Sequence, residues 1–302
     1  VTGVATAKYH TPGESIMASG TDGSSPADGV LDTSKYLTQM KHTERVISID
    51  GMLVSSAFIG DIDEAKNHYD VRSAYSTQIG RELAYHADRA LIRTCIAGAR
   101  KSTDRFGGSD AKFLGAQVAL DTDSPADGVQ GDEIVTGLFT VAQKMDEASV
   151  PADGRYCILS PANYYKLVNT ASDSVLRAIN RDFGNEGNGS IARGEVVQVA
   201  GLRILKSNHI PTANESSTQD AVLGDDLINN DVFTADGGYS GANFTATEGI
   251  CFQTEGLGTV KLLDLAMESE YQLDRLGTLM VAKYAMGHGI LREECLFELT
   301  TA

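Results

Sequence analysis

Basic residues are scarce in this 302-residue chain: 25 Lys and Arg stand against 41 Asp and Glu, a net charge of −16. A surface that acidic repels phosphate, which argues against tight wrapping of nucleic acid, keeps the chain soluble, and lets packed DNA lie nearby without sticking. Apolar runs long enough to span a bilayer are missing, as is a signal-peptide pattern at the start. Cysteine is sparse. Cys95, Cys157, Cys251 and Cys295 lie far apart with no zinc-ligand or redox spacing, so free thiols in a reducing compartment are expected. No HExxH, GxSxG, P-loop or GxGxxG string occurs, and the six histidines form no metal pair at helical spacing. His68 and His86 read as structural, and His288, between glycines, as sitting at a strand kink. No catalytic, cofactor or metal residue is assigned, and the expectation is a protein that is not an enzyme. There is no initiator methionine either: the chain begins at Val1, and an N-terminal piece is expected to lie outside it.

What is present is the composition of a folded protein, 42% hydrophobic and 22% charged. The first forty residues, rich in Gly, Ser, Thr and Asp, read as an exposed arm. Alternation over Arg45–Asp50 predicts a strand, with Asp50-Gly51 as a hairpin turn. Val71, Tyr75, Ile79, Leu83, Ala87, Leu91 and Cys95 then recur every fourth residue, which predicts a helix from about Val71 to Ala99, roughly 43 Å long. Gly80 costs that helix roughly 1 kcal/mol against Ala, so a close packing contact is expected there, and Gly80→Leu is expected to block assembly. Ile134, Leu138, Val141, Ala142 and Met145 predict a second amphipathic helix. "RYCIL" is a short buried strand, and Ser160-Pro161 opens another helix. "EVVQVAGLRILKSNHIP" reads as two strands turning at Gly201, and Thr212–Thr247 as surface loops. "GTVKLLDLA" and "LGTLMVAKYAMG" are strands, and Leu291, Cys295, Phe297 and Leu299 predict a half-buried last strand. Helices and strands are segregated in places, which gives the class α+β.

The string SPADGV stands at Ser25–Val30 and again at Ser124–Val129, with VPADGR at Val150–Arg155. The spacings are unequal and the flanks differ, so this is no repeat architecture. Around the second copy, Asp121 and Asp123 fail the EF-hand ligand spacing from either start. Pro at a fixed φ, Asp bonding back to backbone and Gly accepting positive φ make all three copies turns. "GNEGNG" at Gly184–Gly189 lacks a following Lys-Ser/Thr and reads as a loop, and Asp61, Asp63 and Glu64 as acids at a helix start. The basic cluster Arg89, Arg93, Arg100, Lys101 and Arg105 is the counterpart of many acidic loops. For any one of these residues a solvated helix end is the simpler reading; phosphate contact or charge pairing with another subunit's carboxylates is the functional one, with Arg89, Arg93, Arg100, Lys101, Asp28 and Asp127 as candidates for pairing between subunits.

"KHTERVISIDG" (Lys41–Gly51), "NHYDVRSAYSTQIG" (Asn67–Gly80), "GTVKLLDLA" (Gly258–Ala266) and "AKYAMGHGILREE" (Ala282–Glu294) closely resemble the major capsid protein of T-seven-like short-tailed bacteriophages, podoviruses of the autographivirus type. "VPADGRYCILSPANYYKL" and "EVVQVAGLRILKSNHIP" resemble the middle of the same family; the likeness departs at Asp22–Asp32, Arg105–Asp132 and Thr212–Thr247. The resemblance implies the Hong Kong 97-type capsid fold: 1–60 as the distal part of the E-loop with the family's N-terminal arm absent, 61–130 as the peripheral P-domain with its spine helix, 131–256 as the axial A-domain, 257–286 as the long P-domain strands, and 287–302 as a C-terminal strand returning to the A-domain. It implies a structural protein of the virion capsid, assembled in the bacterial host cytoplasm into hexamers and pentamers of an icosahedral shell around double-stranded DNA. Its implied partners are further copies of itself, a scaffolding protein, a portal and a decoration protein, with weak non-specific DNA contact, no membrane and no cofactor. The alternative is a cellular nanocompartment shell enclosing a cargo enzyme.

Overall fold

A computed structural model describes residues 44–67, 70–104, 106, 109–120, 129–168, 198–215, 239 and 241–301. The chain divides into two compact units, Val1–Arg45 and Val46–Ala302, and the described residues fall almost wholly in the second. In that unit β1 (Leu53–Gly60) leads through a short helix α1 (Asp61–Lys66) into the long helix α2 (Val71–Arg100). There follow β2 (Ala116–Ala119), α3 (Gly131–Glu147), β3 (Arg155–Leu159), α4 (Pro161–Val168), β4 (Gln198–Val199), β5 (Leu202–Lys206) and β6 (Thr247–Gln253). Two long strands, β7 (Leu257–Gln272) and β8 (Gly277–Ile290), and a final strand β9 (Leu296–Thr300) complete it. They make a three-stranded antiparallel sheet in the order β1-β8-β7 and a six-stranded mixed sheet in the order β2-β9-β6-β3-β5-β4.

Helix α2 serves both sheets. Asp70 caps its start by accepting from the Ser73 amide at 3.2 Å, satisfying one of the first turn's orphan donors. Its first half lays Val71, Ile79 and Leu83 on Ile59, Met280, Ala282 and Tyr284 of the three-stranded sheet. Its second half packs Ile92, Cys95 and Ile96 against Ile250, Leu296 and Phe244. The predicted four-residue stripe holds at Ile79 and Leu83 but widens afterwards: every residue from Ile92 to Ala99 is buried, because here the helix lies between elements rather than on one. Gly98 shows how close that approach is, since a Cβ there would collide with the Leu296 side chain. Gly80 is different. A Cβ at that position meets nothing within 4 Å among the described residues, so the expected packing contact is not found there.

The six-stranded sheet is covered on both faces. Ile134, Leu138, Val141 and Met145 of α3 and Tyr164 and Leu167 of α4 pack on one face with Phe297 and Leu299; α2 takes the other with Leu296 and Ile250. Side chains alternate along a strand, so β9 sends Phe297 and Leu299 to α3 and Leu296 and Glu298 to α2. All five of its residues are buried. The expected half-buried strand from Leu291 is thereby corrected: Leu291 stays exposed, a single 3-10 turn at Glu293–Cys295 intervenes, and the strand proper is central and covered.

The first strand also differs from expectation. Arg45–Asp50 is not a strand and Asp50-Gly51 is not a hairpin tip; pairing with β8 runs from Leu53↔Tyr284 to Gly60↔Gly277. This segment reaches β8 through the Asp50 amide, which donates to the Met286 carbonyl at 3.4 Å, and not through a ladder. The turn at Gly201 is as read: Ala200 (φ 49°) and Gly201 (φ 80°) both take the left-handed conformation of a two-residue hairpin. The third PADG copy is a turn with Gly154 at φ 74°, its carbonyl accepting from the Thr254 amide at 3.2 Å. The other two copies lie outside the described residues, apart from Val129 of the second. All four cysteines are free and buried, and burial pushes the Cys95 and Cys251 thiols far up, so they behave as small core residues.

Candidate functional site

The basic face of α2 is engaged inside the subunit. Arg93, with no exposed side-chain surface, pairs through two nitrogens with Glu215 and lies 5.6 Å from the Phe244 ring centroid. Arg89 approaches Glu215 at 3.6 Å. Arg100 grips Glu298 bidentately at 2.7 and 2.6 Å and donates to the Asn243 carbonyl at 2.8 Å. Glu298 is fully buried and also accepts from Thr247 at 2.6 Å and Gln117 at 2.9 Å, so its charge is neutralised and its lone pairs filled. Lys101 reaches buried Glu293 at 3.0 Å. The structure thus places the four basic candidates along the end of α2 and gives each a partner within the subunit: Arg89 and Arg93 share Glu215 of the stretch after β5, Arg100 holds Glu298 of β9, and Lys101 holds Glu293 of the turn before β9. Asp28, Asp127 and Arg105 lie outside the described residues, as does GNEGNG.

Of the acids around the start of α1, Asp61 and Glu64 have side-chain partners. Glu64 holds Arg72 at 2.8 and 3.0 Å, and Asp61 accepts from the Tyr271 hydroxyl at 2.7 Å. His86 faces Glu82 at 3.3 Å, while His68 lies outside the described residues. His288 is 3% exposed; its Nδ1 is 3.0 Å from Thr259 Oγ1, and burial lowers its pKa while the Asp50 carboxylate opposes the shift. Burial, with Asp50 and Asp88 nearby, pushes the Tyr284 phenol up to about 12. Among the described residues no three His, Cys, Asp or Glu side chains are grouped to hold a metal ion, and no helix is long and apolar enough to cross a membrane.

What the structure leaves open is a surface. Helix α2 covers only one face of the three-stranded sheet, the one lined by Ile59, Met280, Ala282 and Tyr284. The ladder puts Val54 beside Lys283, Ser56 beside Val281 and Phe58 beside Leu279 on the opposite face, where Val54 is 48% and Phe58 40% exposed. Lys283 crosses to Glu268 at 2.9 Å as the one described ion pair joining β7 to β8 there. Strand β7, at the sheet edge, is exposed along nearly its whole length, with Leu262 at 66%, Leu265 at 61% and Leu263 at 45%. Two register shifts, between Lys261 and Leu263 and between Leu263 and Ala266, turn these leucines away from a regular pleat. Lys261, Asp264, Glu268 and Glu270 alternate among them and discourage edge-to-edge strand addition. Contiguous exposed apolar patches rimmed by polar residues mark interaction surfaces. The sequence reading found both strands and assigned no face to their leucines. The available signal was the pair Leu262-Leu263, which cannot point to one face of a regular strand.

Against known proteins, a family model described as Gp10A-like, major capsid protein, matches residues 1–300. The chain is 31% identical over 281 residues to the major capsid protein of Enterobacteria phage T3, covering 89% of this chain and 75% of that one. With the major capsid protein of Escherichia phage T7 it shares 29% identity over the same length and the same shares. Among solved structures, the capsid of the cyanophage P-SCSP1u superposes with a TM-score of 0.72 at 35% identity, over all of this chain and 82% of that one. The mature capsid of bacteriophage PhiM1 superposes with a TM-score of 0.64 over 98% and 79% of the two chains; at 17% identity it speaks for the fold alone.

Proposed function

The chain belongs to the Gp10A-like major capsid protein family and has the Hong Kong 97-type capsid fold, and from that premise we propose how it works: many copies close into the icosahedral shell of a tailed phage virion around double-stranded DNA. The observation that carries this reading is the uncovered apolar face of the three-stranded sheet together with β7, an area that a neighbouring subunit would bury. The acidic balance suits a container whose contents must move in and out. The role is structural and needs no catalysis. The family match favours this shell over a cellular nanocompartment.

In this reading 1–60 is the E-loop, 61–130 and 257–286 are the P-domain, 131–256 is the A-domain and 287–302 returns to it; hexamers and pentamers form with help from a scaffolding protein, a portal and a decoration protein. The basic residues of α2 hold the subunit together, and β7 holds subunits to one another. The test is electron microscopy of the full-length protein expressed with its scaffold. Closed shells of uniform size are expected, and small oligomers alone would overturn the proposal.

A further inference from the structure

Strand β2 ends the six-stranded sheet, and among the described residues no strand pairs with its outer edge. Its ladder to β9 is regular, from Ala116↔Phe297 to Ala119↔Thr300, and the Leu120 amide continues it by donating to the Thr300 carbonyl at 2.8 Å. Successive backbone groups of a strand point to opposite edges, so with Leu120 aimed at β9 the peptide groups of Gln117 and Ala119 face outward. Both residues are exposed. The edge strand β7 of the other sheet is guarded by alternating charges and two register shifts; β2, with the sequence Ala-Gln-Val-Ala, has no charge, no proline and no register shift. Beside this edge lies a groove of about 400 Å³. The register partners Ala116 and Phe297 line it, with Leu114 before β2 and Ala148 at the end of α3. Lys112 and Lys144 line it as well, and among the described residues neither ammonium has an ion partner. The one carboxylate in the lining, Glu147, accepts from the Gln143 amide at 2.8 Å. On a chain of net charge −16 this is a basic site with an apolar base.

We propose that the outer edge of β2 and this groove bind an extended acidic peptide segment of a partner protein, which joins the sheet as a further strand. Main-chain hydrogen bonds to Gln117 and Ala119 hold the segment, its carboxylates meet Lys112 and Lys144, and an aliphatic side chain enters the groove. The direction of that side chain follows from the pleat. Gln117 donates to Glu298 at 2.9 Å on the α2 side of the sheet, so Ala116 and Val118 face α3. A strand laid beside β2 sends alternate side chains to that same side, where the groove lies. Edge and charge together select the occupant. An open row of peptide groups is matched by an extended backbone, which a helix does not offer and a nucleic acid does not have. Two lysines on an otherwise acidic protein favour a partner bearing carboxylates. The site belongs to the unassembled subunit, and the inference does not rest on the shell reading.

The test is fluorescence anisotropy on the unassembled full chain, with a labelled Glu-Val-Glu-Val-Glu peptide, blocked at both ends, as the probe. Saturable binding that weakens with added salt is expected. Two further forms of the probe, N-methylated on the glutamates or on the valines, decide the mode without altering the protein. A strand turns only one of these two sets of amides towards β2, so one form should lose affinity on the order of tenfold and the other keep it. Lys112→Glu with Lys144→Glu is expected to weaken the parent probe on the order of tenfold. Neither lysine is buried, so the unfolding midpoint should stay in place. No saturable binding would overturn the proposal. So would equal behaviour of the two methylated forms, equal binding of a Lys-Val-Lys-Val-Lys probe, or displacement of the parent probe by an oligothymidylate, which would make the site one for any polyanion.

Discussion

Strands β9 and β7 are both rich in large apolar residues and have opposite surroundings. In β9 even Glu298 is buried, because helices cover both faces of the six-stranded sheet and β9 lies inside it. In β7 three leucines face water, because the three-stranded sheet has one covering helix and β7 is its edge. Hydropathy therefore does not decide burial here; the number of layers over a strand does. Among the described residues, one sheet is covered on both faces within the subunit, and the other keeps one apolar face exposed.

The comparison breaks most severely at Glu298. Glu298→Ala leaves Arg100 partly buried without its carboxylate and strips Thr247 and Gln117 of an acceptor. Removing one partner of such a buried pair costs about 3–5 kcal/mol. Denaturant unfolding of the isolated subunit measures it, and a loss below about 1 kcal/mol would show that the sheet tolerates a bare cation. Gly98→Val comes next. Its side chain would strike Leu296 and approach Ile290, where α2 meets β9. Overpacking of that kind costs about 1–3 kcal/mol, again read from the unfolding midpoint.

How far each half could be read from sequence follows the same division. Helix α2, helix α3 and the short strand β3 were legible because a one-sided or fully apolar pattern matched their surroundings. The last strand was misread as half-buried because Glu298 looks like a solvent-facing residue; only the arrival of Arg100 from α2 explains its burial. Asp50 imitated a hairpin turn, although its carboxylate is spoken for by Tyr239, far along the chain. The contacts that the basic residues of α2 make within the subunit were hidden for the same reason: Arg93 and Glu215 are distant in sequence, and no local pattern announces the pair. The open face was invisible because an exposed leucine and a core leucine are the same letter.

A gentler change sharpens the comparison at Gly80. The helix interior pays conformational entropy for a glycine that no neighbour within the subunit requires, since a Cβ there meets nothing within 4 Å. Gly80→Ala is expected to stabilise the isolated subunit by about 0.5–1 kcal/mol, seen as a higher unfolding midpoint. Among the described residues nothing at Gly80 supplies the crowding expected for Gly80→Leu. A destabilised Ala variant would show that the helix depends on the glycine's backbone freedom.

The smallest effect on folding is expected on β7, and it is the one that separates the two halves most cleanly. Leu262 and Leu265 are 66% and 61% exposed, so Leu262→Ser with Leu265→Ser removes little packing from the subunit. Surface substitutions of this kind stay within about 0.5 kcal/mol, and the unfolding midpoint should barely move. If the sheet is finished by a neighbour, the same pair of substitutions removes apolar area from every contact of the shell, and closed particles should fail to form. The paired readout distinguishes the cases. A stable subunit without particles assigns the leucines to assembly. Particles of normal yield from an equally stable subunit would mean that β7 faces solvent in the shell, and the contact would have to be sought on Val54 and Phe58 across the same sheet.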